Sequence, residues 1–207
     1  MKRVLAVDAP NLDMALTRIL KRRPTRADRP VSEAFIDWLV GTSEPGDEIV
    51  PAFLVNIPQD ADGRFAGWVD HLRRSGFYVY TKPKSGDSDV DSDIIEFIER
   101  ECRGHEPDTH IVVVSHDARR FLEPLTVYAS RGARATVIGF EEYSGRFIRS
   151  RDIEFIDLED VRPSLFVRAL SRTRLTVARQ SADGTWFSPM TELGRAVSRT
   201  VSMDGVA

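Results

Sequence analysis

The sequence predicts an α/β fold, a three-layer, doubly wound, mainly parallel sheet with a small C-terminal extension. Three observations predict it. Strand-length apolar runs alternate with segments whose apolar residues recur at helical spacing, as far as residue 158. One run, 111–115 (IVVVS), is continuously β-branched before its final serine, the pattern of a strand covered on both faces. Glycines at 76, 104 and 132 stand where the helical patterns stop. Alternating strands and helices build a parallel sheet, because each strand must return through a helical crossover before the next can pair.

Each element has its own signal. Residues 4–7 form the first short apolar run, and Leu12, Ala15, Leu16, Ile19 and Leu20 follow on one helical face. Pro24 and Pro30 bracket a basic connector that holds Arg26 and Arg29. Ser32 is a candidate cap for a helix carrying Phe35, Ile36, Leu39 and Val40 inward, with Glu33 and Asp37 on its polar side. Residues 49–57 read as the second strand, and Pro51 within it argues for an edge or a late start, since proline cannot donate to a ladder. Phe65, Trp68, Val69 and Leu72 mark the third helix, and 77–81 the third strand. Val90, Ile94, Phe97 and Ile98 mark the next helix. The 111–115 strand follows, then a helix with Phe121, Leu125, Val127 and Tyr128, then a strand at 135–140. A last apolar stretch, 153–158, ends the rhythm.

Composition fits this reading. The chain has 207 residues, 42% hydrophobic and 29% charged, which suits one globular domain with an extension. No apolar run approaches the roughly 20 residues that cross a bilayer, and residues 1–7 are too short and too charged for a signal peptide. No membrane association is expected. A single cysteine, Cys102, excludes an intramolecular disulfide and a cysteine-based zinc site, and it suits a cytoplasmic setting. The net charge of −3 is unevenly spread. From Arg162 onward there are seven arginines, no lysine and three acids, so the body is acidic and the tail basic. The division expected is a domain over 1–161 and a basic extension over 162–207.

Parallel sheets place ligands beyond the carboxyl ends of their strands. The residues expected there are Asp8 and Asn11 after the first strand, Asn56 after the second and 82–93 after the third. Ser115, His116 and Asp117 follow the fourth, and Glu141, Glu142 and Ser144 the fifth. This edge lacks both the G-x-G-x-x-G of a dinucleotide site and the G-x-x-x-x-G-K-[ST] of a phosphate loop. It is strongly acidic. Two carboxylates about 4 Å apart repel by about 4 kcal/mol at an intermediate dielectric, so a cleft that gathers them usually holds a cation. All-oxygen donors select hard ions such as Mg²⁺ or Mn²⁺, which polarise phosphates and activate water for phosphodiester hydrolysis. The acid run from Asp87 is not a calcium loop: its sixth position is Ser92 and its twelfth Ile98, where Gly and Glu are required. Ser88 or Asp89 as a helix cap accounts for most of it. Asp93 is left at the border of the buried face, beside Val90 and Phe97.

The segment Asp8-Ala9-Pro10-Asn11-Leu12 resembles the D-x-x-N-[LVI] opening of NYN domains, members of the PIN-like nuclease group. Lys84-Ser85-Gly86-Asp87, with Val90 and Asp93, resembles the K-G-x-D-x-x-L-x-x-D segment of the bacterial LabA-like (DUF88) branch. Ser115-His116-Asp117 with Phe121 and Leu125 resembles its S-x-D…F…L segment. Val137-Ile138-Gly139-Phe140 and Asp152…Phe155-Ile156-Asp157-Leu158 resemble its closing stretches. The matches come in family order over residues 4–158. The resemblance implies a metal-dependent endoribonuclease in which Asp8, Asp93 and Asp117 hold Mg²⁺ or Mn²⁺. Asn11 would then orient Asp8 or a phosphate oxygen, Ser115 would support Asp117, and Lys84, Ser115, His116, Arg119 and Arg120 would meet the RNA. The branch pattern S-G-D-G-D-F has a second acid after the strand, and here Ala118-Arg119-Arg120 replaces it. Two arginines favour phosphate and weaken cation binding. Asp87, Asp91 and Asp152 are the candidates for the missing charge. The departure carries an alternative: a catalytically weak or inactive NYN module that binds RNA or a protein partner.

Other residues have plainer readings. His116 is either a base, a phosphate contact or a polar loop residue; His71, His105 and His110 have no partners at ligand spacing. Cys102, Trp38 and Trp68 fall on apolar helix faces and read as core. Lys21-Arg22-Arg23 reads as a solvated connector at the far end of the first helix. In the tail, Leu165, Phe166, Val167 and Leu170 suggest a helix, 175–178 and 185–187 flank a turn at 181–184, and Leu193, Ala196 and Val197 suggest another short helix. Packing or partner contact, including a homodimer through the extension, is the default role. The alternative is an RNA-gripping arm using Arg172, Arg174 and Arg179 with Trp186 as a stacking surface.

Overall fold

In the computed structural model of the chain, residues 1–58, 61–84, 90–162, 164–170 and 172 are described. They form six strands, β1 (Lys2–Asp8), β2 (Glu48–Ile57), β3 (Tyr78–Pro83), β4 (Thr109–Val114), β5 (Arg134–Gly139) and β6 (Glu154–Asp157). Six helices alternate with them: α1 (Ala9–Leu20), α2 (Ser32–Gly41), α3 (Gly63–Arg74), α4 (Asp91–Cys102), α5 (Ala118–Ser130) and the one-turn α6 (Gly145–Ile148). The strands pair in the order β3-β2-β1-β4-β5-β6, and every pairing is parallel. The chain therefore winds outward from β1 in one direction, then returns to the other side of β1 and winds outward again. The direction reverses between β1 and β4, and all carboxyl ends share one edge. In open α/β sheets a crevice forms at that reversal, because the crossover helices on its two sides pack on opposite faces.

Side-chain alternation sorts the core into two layers. Val4 and Ala6 of β1, with Ile111 and Val113 of β4, pack under α4 and α5 through Ile94, Ile98, Phe121 and Leu125. Leu5 and Val7, with Val112 and Val114, pack under α1, α2 and α3 through Leu16, Phe35, Leu39 and Leu72. Phe53 anchors the second layer, with edge-on contacts to Phe35, Trp68 and Phe77 at centroid distances of 6.2, 6.4 and 4.8 Å. Cys102 and Trp38 are core, as expected, and Trp68 is half-buried against the same layer.

Several local expectations change. Strand β3 starts at Tyr78 and runs to Pro83, and β2 is an interior strand. Pro51 is accommodated because pairing with β3 begins only at Ala52, so β2 is locally an edge on that side. Ser32 is the first residue of α2 and not its cap; the cap position is Val31, and the Ser32 hydroxyl donates to Glu33 instead. Position 90 precedes α4 without a side-chain cap bond, and Ser88 and Asp89 lie outside the described residues. No helix forms over 165–170. Leu165 and Phe166 still bury themselves in the α1–α3 layer, and the Leu165 carbonyl accepts from Val31 N–H at 2.7 Å.

Arg172 closes this segment onto the domain. Its guanidinium is 3% exposed and pairs with Asp157, Glu142 and Glu159, the last through Nε at 2.6 Å. Its centre sits 4.9 Å from the Phe140 ring. It is therefore engaged inside the protein and not an arm for RNA. Arg174, Arg179, Trp186 and the proposed turn, short helix and homodimer surface lie outside the described residues. Among the described residues, no helix is long and apolar enough to cross a membrane.

Candidate functional site

The reversal between β1 and β4 gathers the residues that the sequence singled out. Asp8 ends β1 and caps α1, accepting the Asn11 N–H on Oδ1 at 3.1 Å. Asp117 follows β4 and caps α5, accepting the Arg119 N–H at 2.9 Å. The two turns are near copies, with φ/ψ of −82/85° at Asp8 and −84/82° at Asp117. Neighbouring strand ends thus present two carboxylates at two helix N-termini, where the helix dipoles favour negative charge. Ser115 joins them. Its hydroxyl donates to Asp8 Oδ2 at 2.8 Å and accepts the Asp117 N–H at 3.2 Å. Asp8 is 1% exposed and Ser115 fully buried, so this linkage is held in a dry setting.

Asn11 and His116 brace each other. The Asn11 Oδ1 accepts both the backbone N–H and Nδ1–H of His116, each at 2.9 Å. Two observations fix the protons. A backbone N–H can only donate, so the amide oxygen must face it. Nε2 of His116 accepts the Phe140 N–H at 2.8 Å, so the proton sits on Nδ1. Burial lowers the imidazole pKa to about 4, so the ring is neutral. Both ring nitrogens are spent inside the protein, and the ring stacks on Phe140 at 5.4 Å. His116 therefore positions Asn11 and is not placed to move a substrate proton. Gly139 makes room for it: a Cβ there would stand 3.2 Å from His116 Cδ2 and 2.9 Å from Ser144 Oγ.

The other acids carry cations already. Asp93, in the first turn of α4, accepts the Tyr80 hydroxyl and the Lys82 ammonium, each at 2.8 Å. Burial pushes its pKa up, but Lys82 and Tyr80 together hold the carboxylate below its usual range. Asp91 is buried and lies 3.5 Å from Arg120 Nε. Arg119 and Lys84 are exposed. Asn56, at the end of β2, keeps its Oδ1 buried without a hydrogen bond among the described residues. Asp152 stands ahead of β6, at the opposite edge of this all-parallel sheet, and so cannot supply charge to the site. Asp87 lies outside the described residues.

Among the described residues, no three His, Cys, Asp or Glu side chains group as a metal site. A magnesium ion does not need three. It dehydrates reluctantly, keeps several waters, and is usually held by one or two carboxylates with substrate phosphate. Asp8 and Asp117 are the hard oxygen donors at the reversal that could hold such an ion. Tyr80 and Lys82 are the residues that sequence reasoning missed as partners of Asp93. Their position at the strand end was legible, but their pairing depends on where α4 lands.

A parallel sheet of this order, with two capping carboxylates at its reversal, is a doubly wound α/β domain. The NYN domain profile matches residues 4–159, and the chain belongs to the NYN family. The match is to the family as a whole and does not assign the LabA-like branch. The fold is also similar to the crystal structure of a protein of unknown function from Vibrio parahaemolyticus, at 22% identity and a TM-score of 0.54. That likeness covers 77% of this chain and 93% of the other. No curated protein matches the chain.

Proposed function

We propose that this NYN domain is a divalent-cation-dependent endoribonuclease acting at the β1/β4 reversal. The observation that carries the proposal is the pair of capping carboxylates, Asp8 and Asp117, on neighbouring strand ends, where the buried Ser115 hydroxyl joins the Asp8 carboxylate to the Asp117 backbone N–H. Asp8 and Asp117 would hold Mg²⁺ or Mn²⁺, with Asp93 as a third ligand once Lys82 is drawn to a phosphate. The bound ion would polarise the scissile phosphate and lower the pKa of attacking water. Asn11 and Ser115 keep Asp8 in place, and Lys84, Arg119 and Arg120 offer cationic contacts to the RNA backbone. A cytoplasmic setting accords with Cys102 remaining a free thiol in the core.

The test is cleavage of a mixed pool of labelled RNAs with Mn²⁺, Mg²⁺ or EDTA. Native protein should cleave only with metal, and Asp8→Asn and Asp117→Asn should each lose at least a hundredfold in rate, as expected when a charge-stabilising group is removed. A second reading has its own support. Lys82 on Asp93 and Arg120 on Asp91 neutralise acids that a metal centre would want. In that reading the domain binds RNA without cutting it. Intact RNA after incubation with folded native protein, under every metal, would end the first reading, and retention of that RNA by the same protein would support the second.

A further inference from the structure

Beside the carboxylate pair, a cavity of about 320 Å³ opens between α1, the start of α5 and the turn after β5. Asn11, Met14, Arg18, Asp117, Arg119 and Tyr143 line it. We propose that this cavity is a subsite for one nucleotide of single-stranded RNA, seated next to the phosphate that Asp8 and Asp117 address.

Four features of the walls argue for that ligand. The volume is at the small end of ligand pockets, which run from roughly 300 to 1,000 Å³, so it takes one nucleotide and excludes a duplex. The Arg18 guanidinium lies over the Tyr143 ring, 5.9 Å from its centroid. A guanidinium plane backed by an aromatic ring is a surface on which an unstacked base lies well, whatever its identity. Met14, on the same helix face as Arg18, is 46% exposed and adds a polarisable apolar contact. Finally, the Asn11 carbonyl oxygen is spent on His116, which leaves its amide N–H groups as the donors on this wall. With Arg18 and Arg119 they make a donor-rich wall at an edge otherwise dominated by acids, suited to a phosphate or a base carbonyl. Asp117 belongs to both the cavity and the carboxylate pair, so a base seated here sets which backbone phosphate reaches that pair.

This proposal rests on the reading of the reversal as an RNA site, and the test separates the two. Binding of a fluorescein-labelled single-stranded RNA octamer is measured by anisotropy in EDTA, where cleavage cannot intervene. Tyr143→Ala should weaken binding about tenfold, the scale expected when one base loses its stacking surface. Tyr143→Phe should keep native affinity, because stacking does not use the hydroxyl. Arg18→Ala should lose severalfold, while Arg73→Ala, an exposed arginine on α3, should stay within twofold of native. Arg18 is exposed, so its removal leaves the fold intact whatever happens to Tyr143→Ala. Equal loss in Arg18→Ala and Arg73→Ala, or native affinity in Arg18→Ala, would overturn the subsite. Cleavage that survives with unchanged binding in these variants would remove the subsite and leave the nuclease. Binding that depends on Arg18 and Tyr143, without cleavage in any metal, would do the reverse.

Discussion

At the scale of single residues, the centre is built from side chains whose polar atoms are already committed. His116 shows the consequence most clearly. Its nitrogens brace Asn11 and Phe140, so its value lies in where it holds its neighbours. Gly139 belongs to the same arrangement. Replacing it with alanine would put a methyl 2.9 Å from Ser144 Oγ and 3.2 Å from the His116 ring. Gly139→Ala should cost about 1–3 kcal/mol, the usual penalty for overpacking, measured as a lower denaturation midpoint in urea. A midpoint unchanged from native would mean that Ser144 turns away without cost. Much of this was legible in the sequence. Asp8, Asn11, Ser115, His116 and Asp117 follow strands that the apolar pattern marks clearly. Arg18 and Tyr143, which line the cavity proposed as a subsite, were not legible, because they reach the edge from a helix face and a turn whose placement depends on packing. Nor was the role of His116, since pattern reading shows that a histidine is present but not where its nitrogens point.

Elements were legible where burial dictates them. The continuous apolar run of β4 and the helical faces of α1, α4 and α5 leave little choice. Caps were less legible, because serine and aspartate near a helix start compete and tertiary contacts choose between them. At α2 the serine turned to Glu33, whereas at α3 the cap is Asp62, which accepts from Arg64 N–H at 2.9 Å and Phe65 N–H at 3.3 Å. Asp62→Ala should destabilise the protein by about 1 kcal/mol through fraying of α3. Amide exchange would read it directly: faster exchange confined to the first turn of α3 is expected, and unchanged protection there would show that the cap contributes nothing. The tail segment is the opposite case. Leu165, Phe166 and Leu170 mimic a helical face, yet they pack in irregular backbone because the α1–α3 layer offers pockets at those points.

Across the whole molecule, buried charge and its pH dependence set the limits of stability. His110 is 2% exposed on β4, far from the carboxylate pair, and its Nε2 meets the Thr136 hydroxyl at 2.8 Å. Burial, reinforced by Arg134 and Arg3, lowers its pKa to about 4. Unfolded histidine titrates near about 6.5, so below that pH the unfolded chain binds the extra proton. The contribution of His110 is thus fully present above about pH 6.5 and is lost as pH falls through about 4. Urea midpoints for native protein should fall over that interval, and His110→Gln should show a shallower fall. Parallel profiles would show that His110 does not titrate differently in the two states. Global topology was legible from the alternation alone, but the strand order was not. Nothing in the sequence says that β4 returns to the far side of β1; that follows from which layer each helix can cover.

The Arg172 ion cluster has a consequence for how this domain can be moved or shortened. The family profile stops at residue 159, yet Val161, Leu165 and Phe166 fill the α1–α3 layer, and Arg172 neutralises Asp157, Glu142 and Glu159. A chain cut at 159 would bare apolar surface on one side and leave crowded carboxylates without their counter-charge on another. The inheritable module, the piece that could be grafted onto another protein and still fold, therefore reaches at least to residue 172. Its last dozen residues act as a clasp written into the chain after the recognisable family sequence has ended.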